Sequence, residues 1–222
     1  MSSFRVIIVA NGECRNPSFY RSLARPEDYV ICADGGTCHA LAIGLQPRLV
    51  IGDFDSLDGA MRRQLAGRQV EFHCYPCEKD QSDLELALER AVALRPREIM
   101  VFCALGGPRL EQILANIFLL VLPLEAGIPA AIVDERHEVR LIEREVALEG
   151  ERGDYLSLFP LTQEVHGVET EGLKYPLYGE TLYLKSTRGL SNEFAGRGAR
   201  VKISGGRLLV IKTRRATLDS LP

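Results

Sequence analysis

The stretch Leu49-Val50-Ile51-Gly52-Asp53-Phe54-Asp55-Ser56-Leu57, LVIGDFDSL in one-letter code, passes from three apolar residues straight into two acidic ones. The apolar run reads as a buried strand, and Gly52 and Ser56 read as the turn that ends it. In an extended backbone, residues i and i+2 point to the same side. Asp53 and Asp55 are therefore expected to project together, with Phe54 anchoring the opposite side. Two carboxylates that close repel, unless a cation lies between them or one takes up a proton. The stretch thus implies a strand whose carboxyl end is a charged site, as in an open sheet of parallel strands.

Outward from it, apolar runs alternate with helix-like segments. Val6–Ala10, Tyr29–Ala33, Val70–Cys74, Ile99–Ala104 and Ala130–Val133 read as further strands. Thr37–Ile43, Asp58–Ala66, Ser82–Leu94 and Leu110–Glu125 read as helices. In the third of these, Leu84, Leu88, Ala91 and Val92 fall at helical spacing, with Ser82 as N-cap and Glu85 completing a capping box. This rhythm implies an α/β domain built on a mostly parallel sheet. Near residue 145 it changes: segments shorten and glycines multiply. Val201-Lys202-Ile203 and Leu208–Ile211 flank Ser204-Gly205-Gly206-Arg207, a hairpin signal. The reading is two domains, residues 1–145 and a small antiparallel β domain over 146–222.

Composition narrows the function. A 222-residue chain with a formal net charge of −3 has no basic excess for nucleic acid, so no nucleic-acid partner is expected. No apolar run reaches the ~18 residues of a membrane span. The start, Met1-Ser2-Ser3-Phe4-Arg5, lacks the features of a secretory signal, and the expected location is cytoplasmic. The six cysteines read as reduced thiols. His73-Cys74-Tyr75-Pro76-Cys77 holds a CxxC, but a structural zinc site normally needs a second such pair. No GxSxG nucleophile pattern occurs.

The charged residues gather where strands end. Asp34-Gly35-Gly36-Thr37 follows one strand; paired glycines let the backbone approach a phosphate, and a helix N-terminus follows. Asp53-Phe54-Asp55 follows the next, then Glu78-Lys79-Asp80-Gln81-Ser82-Asp83, then Gly106-Gly107-Pro108-Arg109. Singly, each is an ordinary turn or helix cap. Together they suggest a hard divalent cation, most naturally Mg2+ holding a polyphosphate, with Lys79 and Arg109 to neutralise remaining charge.

These motifs resemble, in order, those of the thiamine pyrophosphokinase family. Ala33-Asp34-Gly35-Gly36, Gly44-Leu45-Gln46-Pro47 and Ile51–Leu57 are similar to its first motifs. Lys79–Leu88 is similar to its D-x-T-D-x-E-x-A-L helix start, and Gly106-Gly107, Arg109 and Leu114-Ala115-Asn116 resemble its GGR…LAN helix. Ser157–Leu161, Thr170–Leu177 and Gly189–Phe194 resemble motifs on the thiamine side. Glu111-Gln112 stand where the family has Asp-His, and His137 where it tends to have Asn.

The resemblance implies a Rossmann-like, mostly parallel sheet domain followed by a small antiparallel β-sandwich. It implies an enzyme that transfers the diphosphoryl group of ATP to the hydroxyl of thiamine. Asp53, Asp55 and Asp83 are then catalytic and hold Mg2+. Asp34, Gly35, Gly36, Asp80, Gly106, Gly107, Arg109 and Asn116 bind ATP. Tyr175, Ser191, Asn192 and Glu111 bind thiamine, the site being shared between the subunits of a homodimer. Two other classes fit the same fold: a binding protein without turnover, and a diphosphokinase for another alcohol such as a pterin hydroxymethyl compound. The acidic set argues against the first and the motifs between Ser157 and Phe194 against the second.

Overall fold

The computed structural model describes residues 4–55 and 59–215. The chain divides into two units, Met1–Asp134 and Glu135–Pro222.

The first unit is a sheet of six parallel strands, β1 (Arg5–Val9), β2 (Tyr29–Ala33), β3 (Leu49–Gly52), β4 (Glu71–Cys74), β5 (Glu98–Phe102) and β6 (Ala130–Val133), in the order β6-β5-β1-β2-β3-β4. β1 and β3 are buried along their whole length, which their Val/Ile/Leu runs require of strands covered on both faces. β4 closes the edge and carries Glu71 and His73, partly exposed, as an edge strand should.

The helices are α1 (Pro17–Leu23), α2 (Gly36–Ile43), α3 (Gly59–Ala66), α4 (Asp83–Ala93), α5 (Leu110–Phe118) and α6 (Val121–Glu125). α4 starts as its capping signal requires: Ser82 Oγ accepts from Glu85 N at 3.2 Å, and Leu84, Leu88 and Ala91 are buried. α1 was not legible as a helix, although Asn16 caps it and Pro17 opens it. The single helix expected over Leu110–Glu125 is two. Pro123 has no N–H for the helix ladder, and Leu120 and Leu122 instead bond three residues back, to Ile117 and Leu119. Ser56, Leu57 and Asp58 lie outside the described residues. Among the described residues no helix is long and apolar enough to cross a membrane.

The second unit packs two antiparallel four-stranded sheets. One is ordered β12 (Asn192–Glu193), β9 (Tyr155–Pro160), β14 (Leu208–Thr213), β7 (His137–Ile142). The other is β11 (Tyr178–Tyr183), β10 (Glu164–Glu171), β13 (Gly198–Lys202), β8 (Glu145–Glu149). Leu156, Leu158, Leu208 and Val210 of the first meet Val165, Val168, Leu182 and Val201 of the second in one core, a β-sandwich. The division of the chain comes before residue 145, because β7 pairs along its whole length with β14 and so belongs to this unit.

The hairpin expected around Ser204–Arg207 is not formed. β13 pairs with β8 and β10, while β14 pairs with β7 and β9 in the other sheet. The connection crosses the sandwich, and its backbone groups find partners on the way: Ser204 N bonds His166 O, His166 N bonds Gly205 O, and Leu161 N bonds Arg207 O, each at 2.9 Å. Both flanking runs bury one face in the shared core, so separate sheets satisfy the same apolar pattern.

Lys212 on β14 is buried and stands opposite Glu138 on β7. Its ammonium donates to Glu138 Oε2 at 2.8 Å and to Glu149 O at 2.6 Å, while Arg140 Nε donates to Glu138 Oε1 at 2.7 Å. Burial alone raises the carboxyl pKa, but the charges of Arg140 and Lys212 outweigh it and leave Glu138 below its ordinary value. A depressed carboxylate adds stability above its unfolded pKa and loses it as pH falls through the folded one. Glu138→Gln should therefore cost about 1.5–3 kcal/mol at neutral pH, with the gap to the parent chain closing in acid. Melting of both chains across pH checks this; a gap that stays constant into acid contradicts it.

Candidate active site

Successive connections carry the chain from β1 outward to β4, then back to β5 on the other side of β1. Such a reversal opens a crevice at the carboxyl ends of the strands. The loops there are packed closely enough to dictate residue type. Gly12 N donates to Cys103 O at 2.7 Å, joining the ends of β1 and β5. A Cβ on Gly36 would stand 2.1 Å from Val9 O, so only glycine lets α2 start directly over the end of β1. Asn11 lies against Gly35. No acidic residue occupies the first turn of α2, which leaves its N-terminal N–H groups favourable to an anion.

Asp34 ends β2 with a left-handed backbone (φ 42°), a conformation Asp tolerates better than most residues. Its N–H bonds Ile51 O at 2.7 Å, and its carbonyl accepts from Thr37 N and Thr37 Oγ1. Its side chain packs against Gly52, where a Cβ would come within 2.8 Å of Asp34 Cβ and 3.2 Å of Asp34 Oδ1. Asp34 is 6% exposed, and its Oδ1 is buried and accepts no hydrogen bond from the described residues. An unsatisfied buried carboxylate oxygen is costly, and a cation is the natural partner.

Asp53 and Asp55 do come together, but not by the extended backbone expected. Phe54 has φ 64° and turns the chain sharply. Its ring is buried, edge-on to Phe72 at 5.5 Å between centroids, with the Arg62 guanidinium 5.1 Å from its centre. The turn lets Asp55 N donate to Asp53 Oδ1 at 3.1 Å. Asp53 Oδ2 accepts from Cys77 Sγ at 2.9 Å, and ligand atoms of Asp53, Asp55 and Cys77 lie within 4.8 Å of one another. The Cys77 thiol, then the Asp55 amide, hold Asp53 below the ordinary carboxylate range. The same contact holds the Cys77 thiol above its ordinary value. Carboxylate oxygens at this spacing fit Mg2+, a hard cation.

Asp83 stands outside that set of ligand atoms; its Oδ1 lies 3.0 Å from Lys79 Nζ. Burial lowers the Lys79 pKa, but the Asp83 bond and charge, with Asp53 beyond, leave it raised. Lys79 thus links the loops that carry the two aspartates. Asp80 is exposed. Gly106 and Gly107 both have positive φ, and the Glu13 carboxylate packs against Gly106. Arg109 Nε donates to Glu111 Oε1 at 2.6 Å, both side chains exposed, and this bond lowers the Glu111 pKa. Asn116 Nδ2 donates to Ala104 O at 2.8 Å, which ties α5 to the end of β5.

In the second unit Tyr175 is 59% exposed and lies between strands, so it is not a core tyrosine. Asn192 clamps it: Tyr175 N donates to Asn192 Oδ1 at 3.1 Å and Asn192 Nδ2 donates to Tyr175 O at 2.6 Å. Ser191 has φ 56°, and its N–H bonds Ser157 Oγ at 3.1 Å. A cavity of about 230 Å³ opens here, lined by Tyr175, Leu158, Leu177, Arg188, Leu190 and Asn192 among others. Lys174 Nζ sits 5.3 Å from the Tyr175 ring centre, so this ring attracts a cation.

Asn11 and Glu13 are absent from the sequence expectations, and Cys77 enters them only as half of a CxxC. The first two follow β1 as Asp34 follows β2, and the same rule of polar residues after an apolar run would have found them. Nothing in the spacing of Cys77 announced its bond to Asp53.

Residues 20–132 match the family model described as thiamin pyrophosphokinase, catalytic domain, and residues 136–208 match that described as thiamin pyrophosphokinase, vitamin B1 binding domain. The chain is 32% identical over 186 residues to the thiamine pyrophosphokinase of Bacillus subtilis (strain 168), covering 82% of this chain and 86% of that protein. The crystal structure of thiamine pyrophosphokinase from Bacillus subtilis superposes with a TM-score of 0.83 at 30% identity, over 95% of this chain and 99% of that one. That of thiamin pyrophosphokinase from Geobacillus thermodenitrificans gives 0.81 at 28% identity, over 96% and 99%. With both family models matched in order along the two units, the chain belongs to the thiamin pyrophosphokinase family and is an ATP-dependent diphosphotransferase.

Proposed function

We propose that the strand-end loops of the first unit hold ATP with Mg2+, and that the cavity beside Tyr175 in the second unit receives thiamine. The reaction is that of the family: the thiamine hydroxyl oxygen bonds to the β-phosphorus of ATP, the bond from that phosphorus to the α–β bridging oxygen breaks, and AMP leaves with thiamine diphosphate formed. Little covalent work falls to the protein; alignment and cancelled charge do most of it.

The observation that carries the reading is the pair Asp53 and Asp55, turned out together by the buried Phe54, with the unsatisfied Asp34 Oδ1 at the end of the neighbouring strand, against Gly52. Asp53, Asp55 and Asp83 are the residues that would hold Mg2+, which neutralises phosphate charge when bound. Gly35 and Gly36 at the start of α2, with Gly106 and Gly107, give the phosphates backbone N–H groups, and Asp80 and Arg109 border them. Asn116 acts by holding α5, which follows that second glycine pair, against the end of β5. Tyr175 offers a face to the cationic thiazolium, with Ser191 and Asn192 fixing the loop that presents it. Glu111, in the first turn of α5, is the carboxylate where the family has Asp. A carboxylate near the thiamine hydroxyl takes up its proton as the alcohol attacks. A cytoplasmic location suits an enzyme that consumes ATP, and six cysteines outside any disulfide suit a reducing compartment.

The active form we propose is a homodimer with each site shared between subunits. Support comes from α5, where Leu110, Leu114 and Phe118 recur at four-residue spacing and are 65%, 44% and 52% exposed. Such an apolar stripe marks an interaction surface.

Asp53→Asn and Asp55→Asn should each lower AMP release from ATP and thiamine by at least a hundredfold while the chain stays folded, with Asp53→Asn melting no higher than the parent chain because the Cys77 and Asp55 hydrogen bonds favour the charged carboxylate. Near-normal turnover in both folded variants contradicts the metal assignment. For the shared site, mixing Asp53→Ala chains with Asn192→Ala chains should restore activity that neither has alone, since a heterodimer contains one site with both halves intact. A monomer by light scattering, or proven heterodimers without rescue, contradicts the dimer.

A further inference from the structure

Cys77 belongs to no motif of the resemblance and has no part in the reaction above, yet its sulfur is bonded to Asp53. The thiol and the two carboxylates come from different loops, after β4 and β3, and each offers a ligand atom within 4.8 Å of the others. Asp34 supplies an independent sign that a cation belongs here. It is more than nine-tenths buried, and its unpartnered Oδ1 is turned to Gly52, the residue before Asp53.

We propose that Asp53, Asp55 and Cys77 form a mixed carboxylate–thiolate site that takes a thiophilic divalent cation, Zn2+ or Cd2+, in competition with Mg2+. The proposal rests on these carboxylates being the metal site of the reaction. Around tetrahedral Zn2+, with Zn–S near 2.3 Å and Zn–O near 2.1 Å, the sulfur and a carboxylate oxygen stand roughly 3.6 Å apart. Sγ and Asp53 Oδ2 are now 2.9 Å apart, so the pair must open by about 0.7 Å, a side-chain adjustment at an exposed loop. In binding, the S–H bond breaks, its proton passes to solvent, and a metal–sulfur bond replaces the S–H···O contact. The cation comes from solution, and nothing is oxidised or reduced. Mg2+ has little use for sulfur and keeps oxygen ligands, so the thiolate favours the softer ion alone. The alternative donor pair is the CxxC itself, Cys74 with Cys77. Both are exposed free thiols, but among the described residues Cys74 joins no ligand cluster.

The test is a titration of the full chain, stripped of metal by chelator, with Cd2+, read by the ultraviolet thiolate-to-cadmium charge-transfer band. One Cd2+ per chain is expected, with a band absent in Cys77→Ser and Cys77→Ala and intact in Cys74→Ser. In Asp53→Asn, with its fold checked by melting, Cd2+ affinity should fall at least tenfold. A band that persists without Cys77, disappears without Cys74, or is insensitive to Asp53→Asn overturns the proposal. Mg2+-dependent AMP release by the unsubstituted chain is measured alongside. Its absence would sink the proposed reaction while leaving the cadmium result to stand by itself.

Discussion

Burial of one phenylalanine organises the acidic end of the first unit. Phe54 takes a left-handed backbone, which costs an L-residue roughly 1–2 kcal/mol. Full burial of its ring contributes about 1.5–3 kcal/mol, and the edge-on contact with Phe72 adds about 0.5–1.5. The ring's side therefore wins, and the backbone is held in a turn that solvated residues would not keep. The turn points the flanking aspartates away from the core and gives Asp53 the Asp55 amide. Like charges remain side by side because the apolar residue between them has nowhere else to go.

The neighbouring loops are fitted to that turn. Gly52, the residue before it, has no side chain because Asp34 Cβ occupies the space. Tyr75 N bonds Gly52 O at 3.0 Å and brings the chain after β4 alongside. Cys77 then reaches Asp53, and Lys79 interacts with both Asp53 and Asp83. Acidic groups from three strand ends are thereby collected with a single lysine between two of them. Such a cluster is unfavourable without a counter-ion and becomes favourable when metal and polyphosphate arrive together.

What the sequence made legible follows from how local the cause is. The buried strands announce themselves by unbroken apolar runs, and α4 by Ser82, whose cap bond spans only three residues. The carboxylates are legible as a strand-end pair, but their geometry is not. Alternation in an extended strand does not give it, because the side-chain position depends on Phe72, a residue of another strand. The hairpin expected between β13 and β14, which does not form, has the same origin. The apolar pattern of β13 and β14 suits one sheet or two facing sheets equally, and only pairing with β10 and β9 decides. Cys77 was invisible as a partner of Asp53 because their contact spans 24 positions and rests on parallel pairing of β3 with β4.

If Phe54 holds the site, removing its ring should undo the site without touching a carboxylate. The decisive measurement is the Mg2+-dependent affinity for ATP of Phe54→Ala, with melting followed on the same sample. The chain should remain folded but less stable by about 3 kcal/mol, with nucleotide affinity lowered at least tenfold although Asp53 and Asp55 are intact. A folded Phe54→Ala protein that binds ATP with Mg2+ as tightly as the parent chain would contradict the account.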